Sequence, residues 1–218
     1  MPLGTGDCEL NRSVVILAGG FSSRLGQDKG LLQLANKPLV SHVLNVVESI
    51  VDEKIVVVSS SLQADNYKKV LDSTVKIIVD DEELHGPLVG AKSGFKVACG
   101  DFSLLLPSDT PFLSRDVLSL LFELCINRAA VIPRWPNGYI EPLHAVYQTR
   151  MALEAAESTL KMREVNMRSM VDKLRGVRYV STLVLQQLDP ELRTFFNVNT
   201  LLDFKKAEKM LKMRKSRI

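Results

Sequence analysis

Val14-Val15-Ile16-Leu17-Ala18-Gly19-Gly20-Phe21-Ser22-Ser23-Arg24-Leu25-Gly26-Gln27-Asp28-Lys29-Gly30 decides how the rest of the chain is read. It opens as a run of apolar, mostly β-branched residues, the signature of a strand buried on both faces. It then breaks into a loop holding glycines, serines, Arg24 and Lys29. Glycine permits positive φ and lets a bulky anion approach without meeting a Cβ. Loop N–H groups can then converge on phosphate oxygens, with Arg24 and Lys29 adding full charge beside them. The stretch therefore predicts a polyphosphate site; the competing reading is a tight strand-to-helix turn with both cations solvated. The Walker A pattern is excluded, because Gln27 and Asp28 separate Gly26 from Lys29. Gly19-Gly20 is not the G-x-G-x-x-G of a dinucleotide fold either.

Further apolar runs end in polar side chains. Ile55 to Val58 leads into Ser59-Ser60-Ser61, Val75 to Val79 into Asp80-Asp81-Glu82-Glu83, and Phe102 to Pro107 into Ser108-Asp109. In open parallel sheets ligands sit outside the carboxyl ends of the strands, so Ser59, Asp80 and Asp109 are candidates to face the loop's crevice. Ser60 and Ser61 read as a turn and helix cap, and the acidic run as a solvated loop whose first member alone faces a ligand. Asp109 is the most informative. Two like charges ~4 Å apart repel by about 4 kcal/mol at an effective dielectric of roughly 20. A carboxylate aimed at a phosphate cradle therefore calls for a cation between them. Mg²⁺ prefers one or two carboxylates plus phosphate oxygens and waters, which makes Asp109 the metal ligand; the alternative is an Asx turn closed by Asp109 itself.

The remaining pattern alternates. Pro38 suits a first helical turn, and Leu39, Val43, Val46 or Val47, and Ile50 recur at helical spacing, predicting a helix over 38–51. Other helices are expected near 63–71, over 91–98, from Ser114 to about 127, over 150–161 and over 166–174. A last helix, about 200–214, starts at a Thr200–Asp203 capping box, with Leu201, Phe204 and Leu211 available to the core. Late strands are expected at 129–133, 140–147 and 177–180, and a final one at 195–200 closes the sheet with Asn197 and Asn199 on one side. His42 reads as a partly exposed helix residue and His144 as a satisfied core residue.

Composition is that of an ordinary globular chain of 218 residues, 46% hydrophobic and 24% charged. The net charge of +3 hides a basic end: residues 205–218 hold seven Lys or Arg against one Glu, so the remainder is acidic. No stacking aromatics or nucleic-acid motif accompany that tail, and helix dipoles favour cations there, so no nucleic-acid partner is expected. Cys8, Cys99 and Cys125 are dispersed and odd in number, which fits a reducing cytoplasm. Residues 1–12 read as a flexible arm without the features of a signal peptide, and no apolar run is long enough to span a membrane.

The loop L-A-G-G-x-S-S-R-x-G-x-D-K-G resembles the signature of the nucleotidyltransferases that activate sugar phosphates, isoprenoid precursors and molybdopterin. Its double glycine and Asp28-Lys29-Gly30 most resemble the molybdenum cofactor guanylyltransferases. Gly86-Pro87-Leu88 with Gly90, the Pro142 to Tyr147 segment and Asn197-Val198-Asn199-Thr200 follow in the same family order. The resemblance implies an α/β fold: a Rossmann-like three-layer α/β/α sandwich, its sheet mostly parallel with an antiparallel late strand, as in nucleotide-diphospho-sugar transferases. It implies one domain over 13–215, with a nucleotide half to about 127 and an acceptor half over about 128–200. The implied activity is GMP transfer from GTP to molybdopterin, with Mg²⁺ as cofactor and room for a protein partner that delivers molybdopterin. CTP- or UTP-using relatives, and an idle nucleotide-binding assembly protein, are the alternatives. Carried over, Leu17, Ala18, Gly19 and Gly20 line the nucleotide, Arg24 and Lys29 meet phosphate, Asp80 meets the nucleotide, and Asp109 meets Mg²⁺ and nucleotide. Asn197 and Asn199 fall on the acceptor side, where Glu141 and His144 are further acceptor contacts. Ser59 stands where a well-known sequence of the family has Asn, and a hydroxyl offers fewer hydrogen bonds than an amide.

Overall fold

A computed structural model describes residues 11–19, 21–22, 27–80 and 84–215. Seven strands form one sheet: β1 (Arg12–Leu17), β2 (Glu53–Val58), β3 (Lys76–Val79), β4 (Phe102–Pro107), β5 (Ala130–Arg134), β6 (Ala145–Gln148) and β7 (Val177–Ser181). Their spatial order is β7-β5-β6-β4-β1-β2-β3. All pairings are parallel except those of β6, which runs antiparallel to both β4 and β5. The expected mostly parallel sheet with one antiparallel late strand is what the chain forms.

Alternation along each strand builds the layers, since successive side chains point to opposite faces. Val14, Ile16, Val56, Val58, Leu104 and Leu106 face one side. There they meet α1 (Leu39–Val47), α2 (Ser61–Lys68) and α4 (Arg115–Cys125), through residues such as Val43, Tyr67 and Leu121. Val15, Ile55, Val57 and Leu105 face the other. They pack on α3 (Pro87–Val97), α5 (Thr149–Lys161) and α6 (Met167–Lys173), through Phe95, Ala152 and Met170 among others. Burial on both faces explains why these strands read as unbroken apolar runs.

The chain builds β1, β2 and β3 outward in one direction, then returns through α3 to place β4 on the far side of β1. The strand order therefore reverses between β1 and β4, the position at which open α/β sheets bind ligands. The register sharpens this: Leu17 pairs with both Val57 and Pro107, so three strands end level. The Ala18 amide then donates to the Val57 carbonyl (2.8 Å), and the Ser108 amide to that of Leu17 (3.0 Å). Residues after each strand emerge at one place.

Several late elements differ from expectation. The strand expected at 140–147 is reduced to β6, with Ile140 left in an isolated bridge to Arg134. Pro142 has no N–H to give a ladder, and the His144 amide turns back to the Glu141 carbonyl (3.1 Å). Residues 195–200 form no strand either. A 3₁₀ turn spans Arg193–Phe195, and the Val198 amide then donates to the Asp109 carbonyl (2.9 Å). The segment thus crosses the carboxyl end of the sheet instead of joining its edge, which β7 occupies.

A short helix α7 (Thr182–Leu185) follows β7, and α8 (Leu201–Lys215) is the last element. The capping box forms as expected: the Thr200 amide donates to Asp203 Oδ2 (2.9 Å) and the Asp203 amide to Thr200 Oγ1 (3.2 Å). Phe204, Ala207 and Leu211 dock α8 on Leu34, Leu39 and Val198, whereas Leu201 is exposed. The apolar stripe therefore runs through Ala207, a small residue that periodicity of large side chains passes over.

Candidate active site

A cavity of about 420 Å³ opens at the ends of β1, β2 and β4. Leu17 and Gly19 from β1, Val57 to Ser59 from β2, and Pro107 to Asp109 from β4 line it, with Asp80 beyond β3 and Lys29 from the glycine-rich segment. Gly86, Pro87 and Gly90 close one side at the start of α3. Gly86 has φ +151°, a conformation that favours glycine, and a Cβ there would sit tightly, 3.1 Å from the Val165 side chain and carbonyl.

At the centre, Lys29 Nζ lies 3.5 Å from Asp109 Oδ2 and donates to Asn199 Oδ1 at 2.7 Å. Asn199 reaches the site because Val198 is pinned to the Asp109 turn. Asp109 is nearly buried, and its Oδ1 has no hydrogen-bond partner. Burial raises the Asp109 carboxyl above its ordinary range, against the pull of the Lys29 ammonium. Oδ1 is a buried, acceptor-only oxygen without a partner, and Oδ2 lies 3.5 Å from a cation; such a carboxylate fits one that would share a divalent ion with phosphates. Among the described residues no three His, Cys, Asp or Glu are grouped so as to hold a metal ion.

The other expected residues divide. Leu17, Gly19, Ser59 and Asp80 reach the cavity; Ala18 is buried behind it and contributes its backbone. The Ser59 hydroxyl is spent on the Gly19 carbonyl (2.7 Å), and Asp80 Oδ1 accepts from the Ser93 hydroxyl (3.2 Å). Gly20 and Arg24 lie outside the described residues. Asn197 is part-buried with its Oδ1 unpartnered. Ser60 caps α2, accepting from the Gln63 amide (3.2 Å), as the simpler reading expected. The sequence reading missed His85, and Leu143, which brings the second half of the chain onto the cavity wall. Leu143 lies in the irregular stretch before β6, so strand periodicity could not orient it.

Glu141 and His144 form a separate group. Trp135 Nε1 donates to Glu141 Oε1 (2.7 Å), and the Trp135 and His144 rings both meet Phe195 edge-on. His144 is buried as expected, but it is not satisfied, since neither ring nitrogen has a partner. Burial pushes its imidazole down to about 3, while an unfolded-chain histidine titrates near ~6.5. The unfolded state takes up that proton first, so this group lowers stability as pH falls below about 6.5. Glu141 Oε2, 3.9 Å from Nδ1, faces the ring and moderates the effect. Between pH 6.5 and 5.5 the wild type should lose about 1 kcal/mol, or roughly 2–4 °C of melting temperature, that His144→Leu does not lose. Parallel pH slopes for the two proteins would contradict this.

Residues 14–177 match the MobA-like NTP transferase domain. A probable molybdenum cofactor guanylyltransferase of Methanosarcina mazei is 34% identical, over 88% of this chain and 88% of that protein. The molybdenum cofactor guanylyltransferase of Desulfosudis oleivorans is 32% identical, over 91% and 95%. The crystal structure of molybdopterin-guanine dinucleotide biosynthesis protein A from Archaeoglobus fulgidus superimposes with a TM-score of 0.79 at 26% identity, covering 92% of this chain and 99% of that one. A 4-diphosphocytidyl-2C-methyl-D-erythritol synthase from Anaerococcus prevotii shares the fold at TM-score 0.70 and 14% identity, over 93% and 96%. The chain belongs to the MobA-like NTP transferase family, and it is built as a nucleotidyltransferase.

Proposed function

We propose that the protein transfers GMP from GTP to molybdopterin carrying molybdenum, forming the guanine dinucleotide cofactor and releasing pyrophosphate. The observation that carries this reading is the facing pair Lys29 and Asp109 in the lining of a cavity where the strand order reverses. The family's relatives named as guanylyltransferases support the choice of GTP and of the acceptor.

In this reading the apolar walls at Leu17, Val57, Pro87 and Leu143 take the base, and Asp80 offers the carboxylate that guanine N–H groups or ribose hydroxyls require. Lys29 meets the phosphates, with Asn199 holding its ammonium in place. Lys29, the loop amides and Arg24 stabilise the charge that collects on the departing pyrophosphate. The acceptor's terminal phosphate attacks the α-phosphorus, a bond to that phosphorus forms, and the bond to the β-phosphate oxygen breaks. A phosphate nucleophile is already ionised at neutral pH, so no side chain need act as general base. Mg²⁺, held by Asp109, would neutralise the α-phosphoryl oxygens. The acceptor is assigned to the later half of the chain, near Asn197 and Asn199, a reading that the Asn199 side chain bonded to Lys29 supports. Dispersed cysteines favour the cytoplasm as its compartment, and among the described residues no helix is long and apolar enough to cross a membrane.

A melting panel with GTP, CTP, UTP and ATP, each with and without Mg²⁺, tests the nucleotide. A ligand at ~100 times its Kd stabilises by about 2.7 kcal/mol, worth roughly 5–11 °C here. Selective, Mg²⁺-dependent stabilisation by GTP is expected. A larger response to CTP or UTP would reassign the base, and no response to any would remove the nucleotide reading.

A further inference from the structure

None of the residues lining the cavity comes from α2, yet two of its side chains hold the Asp28 carboxylate beside the site. Asp28 Oδ1 accepts from the Tyr67 hydroxyl (2.8 Å) and from the Gly30 amide (3.0 Å), and its Oδ2 accepts from Gln63 Nε2 (2.8 Å). Gln63 Oε1 accepts in turn from the Ser59 amide (2.8 Å), whose own side chain holds the Gly19 carbonyl. Tyr67 is fully buried, and its phenolic oxygen also meets the Ser108 hydroxyl. Gly30 leaves the room for this. A Cβ there would collide with the Tyr67 hydroxyl and sit 3.0 Å from Ser108 Oγ.

One hydroxyl thus touches the residue before Lys29 and the residue before Asp109, while Gln63 ties the same carboxylate to the other end of the glycine-rich segment. Burial and the adjacent Asp28 charge hold the Tyr67 phenol well above its usual range, so it keeps its proton and donates. Burial likewise raises the Asp28 carboxyl, although the bonds from Tyr67 and Gln63 oppose this.

We propose that Tyr67, through Asp28 and Ser108 and with Gln63 as a second anchor, is the positioning residue that fixes Lys29 and Asp109 relative to one another. It touches no substrate; it sets the spacing across which the triphosphate is gripped. The proposal rests on the nucleotide-transfer reading above. Small misplacements of reacting groups cost far more in rate than in stability, which separates positioning from packing.

Tyr67→Phe removes one oxygen and keeps the buried ring. It should lower kcat/KM for GTP about tenfold, leave the KM for the molybdopterin acceptor within about twofold, and speed amide exchange at residues 28–31 but not in β1. Gln63→Glu sets a second carboxylate against Asp28 and should lose more. Adding Asp28→Asn to it restores a donor–acceptor pair and should bring kcat/KM back to within about threefold of wild type. Unchanged GTP kinetics and exchange in Tyr67→Phe would overturn the proposal. So would an equal rise in both KM values alongside a lower melting temperature, which would leave Tyr67 as packing alone. Should Tyr67→Phe not fold, failure of Asp28→Asn to rescue Gln63→Glu is the contrary result. A wild type without GTP turnover whose residues 28–31 still loosen in Tyr67→Phe would sink the functional reading and leave the network standing.

Discussion

Asp109→Asn is expected to cut turnover by about 10³-fold, as loss of several kcal/mol of transition-state charge stabilisation requires, while the ligand-free protein melts no lower than wild type. The two halves of this result come from one fact. Burial holds the Asp109 carboxyl above its ordinary range even with Lys29 3.5 Å away. An acid whose folded pKa is raised favours the fold below the unfolded value of about 3.9 and loses that advantage as pH rises through the folded pKa. At neutral pH the wild type therefore bears the cost of a charge that the amide lacks, and the difference should vanish at about pH 4. Active sites commonly trade stability for function in this way. Melting curves at both pH values, beside a pyrophosphate-release assay, check it. Near-normal turnover would remove Asp109 from the metal site, and a large loss of melting temperature would make it a structural residue.

Lys29→Met should lower kcat/KM for GTP by about 10²–10³-fold, the range seen when one preorganised charge donor is removed from a reacting centre. Its stability signature has the opposite sign to that of Asp109→Asn. Without the ammonium, burial pushes the Asp109 carboxyl higher still, and Asn199 Oδ1 loses its donor. The deficit in melting temperature should then be larger at pH 8 than at pH 5, because protonation of Asp109 relieves it. Equal deficits at the two pH values would mean that the Lys29–Asp109 pair does not govern the charge balance of the site.

Much of this arrangement was legible in the sequence for a physical reason. Strands buried on both faces announce themselves as apolar runs, and in a parallel sheet their carboxyl ends converge, so Gly19, Ser59, Asp80 and Asp109 could be placed together before any coordinates. What stayed hidden was long-range or irregular. Gln63 and Tyr67 lie on a polar helix with little amphipathic signal, and their value comes from meeting Asp28 some 35 and 39 residues away. The 195–200 segment alternates like a strand, yet it spans the carboxyl ends and carries Asn199 to Lys29. Pro142 truncates β6, which a pattern of alternating side chains does not reveal. His144 looked like an ordinary core residue, and only the packing of Phe195 against it shows a buried ring with both nitrogens bare.

The proposed function requires a triphosphate gripped where β1 and β4 end, between Lys29 and Asp109. Crystals soaked with GTP and Mn²⁺ test it directly, because manganese can be located by its anomalous signal. A single manganese peak at the Asp109 carboxylate is expected, with the phosphates against Lys29 and the base between Leu17 and Pro87. A triphosphate bound elsewhere, or manganese away from Asp109, would contradict it.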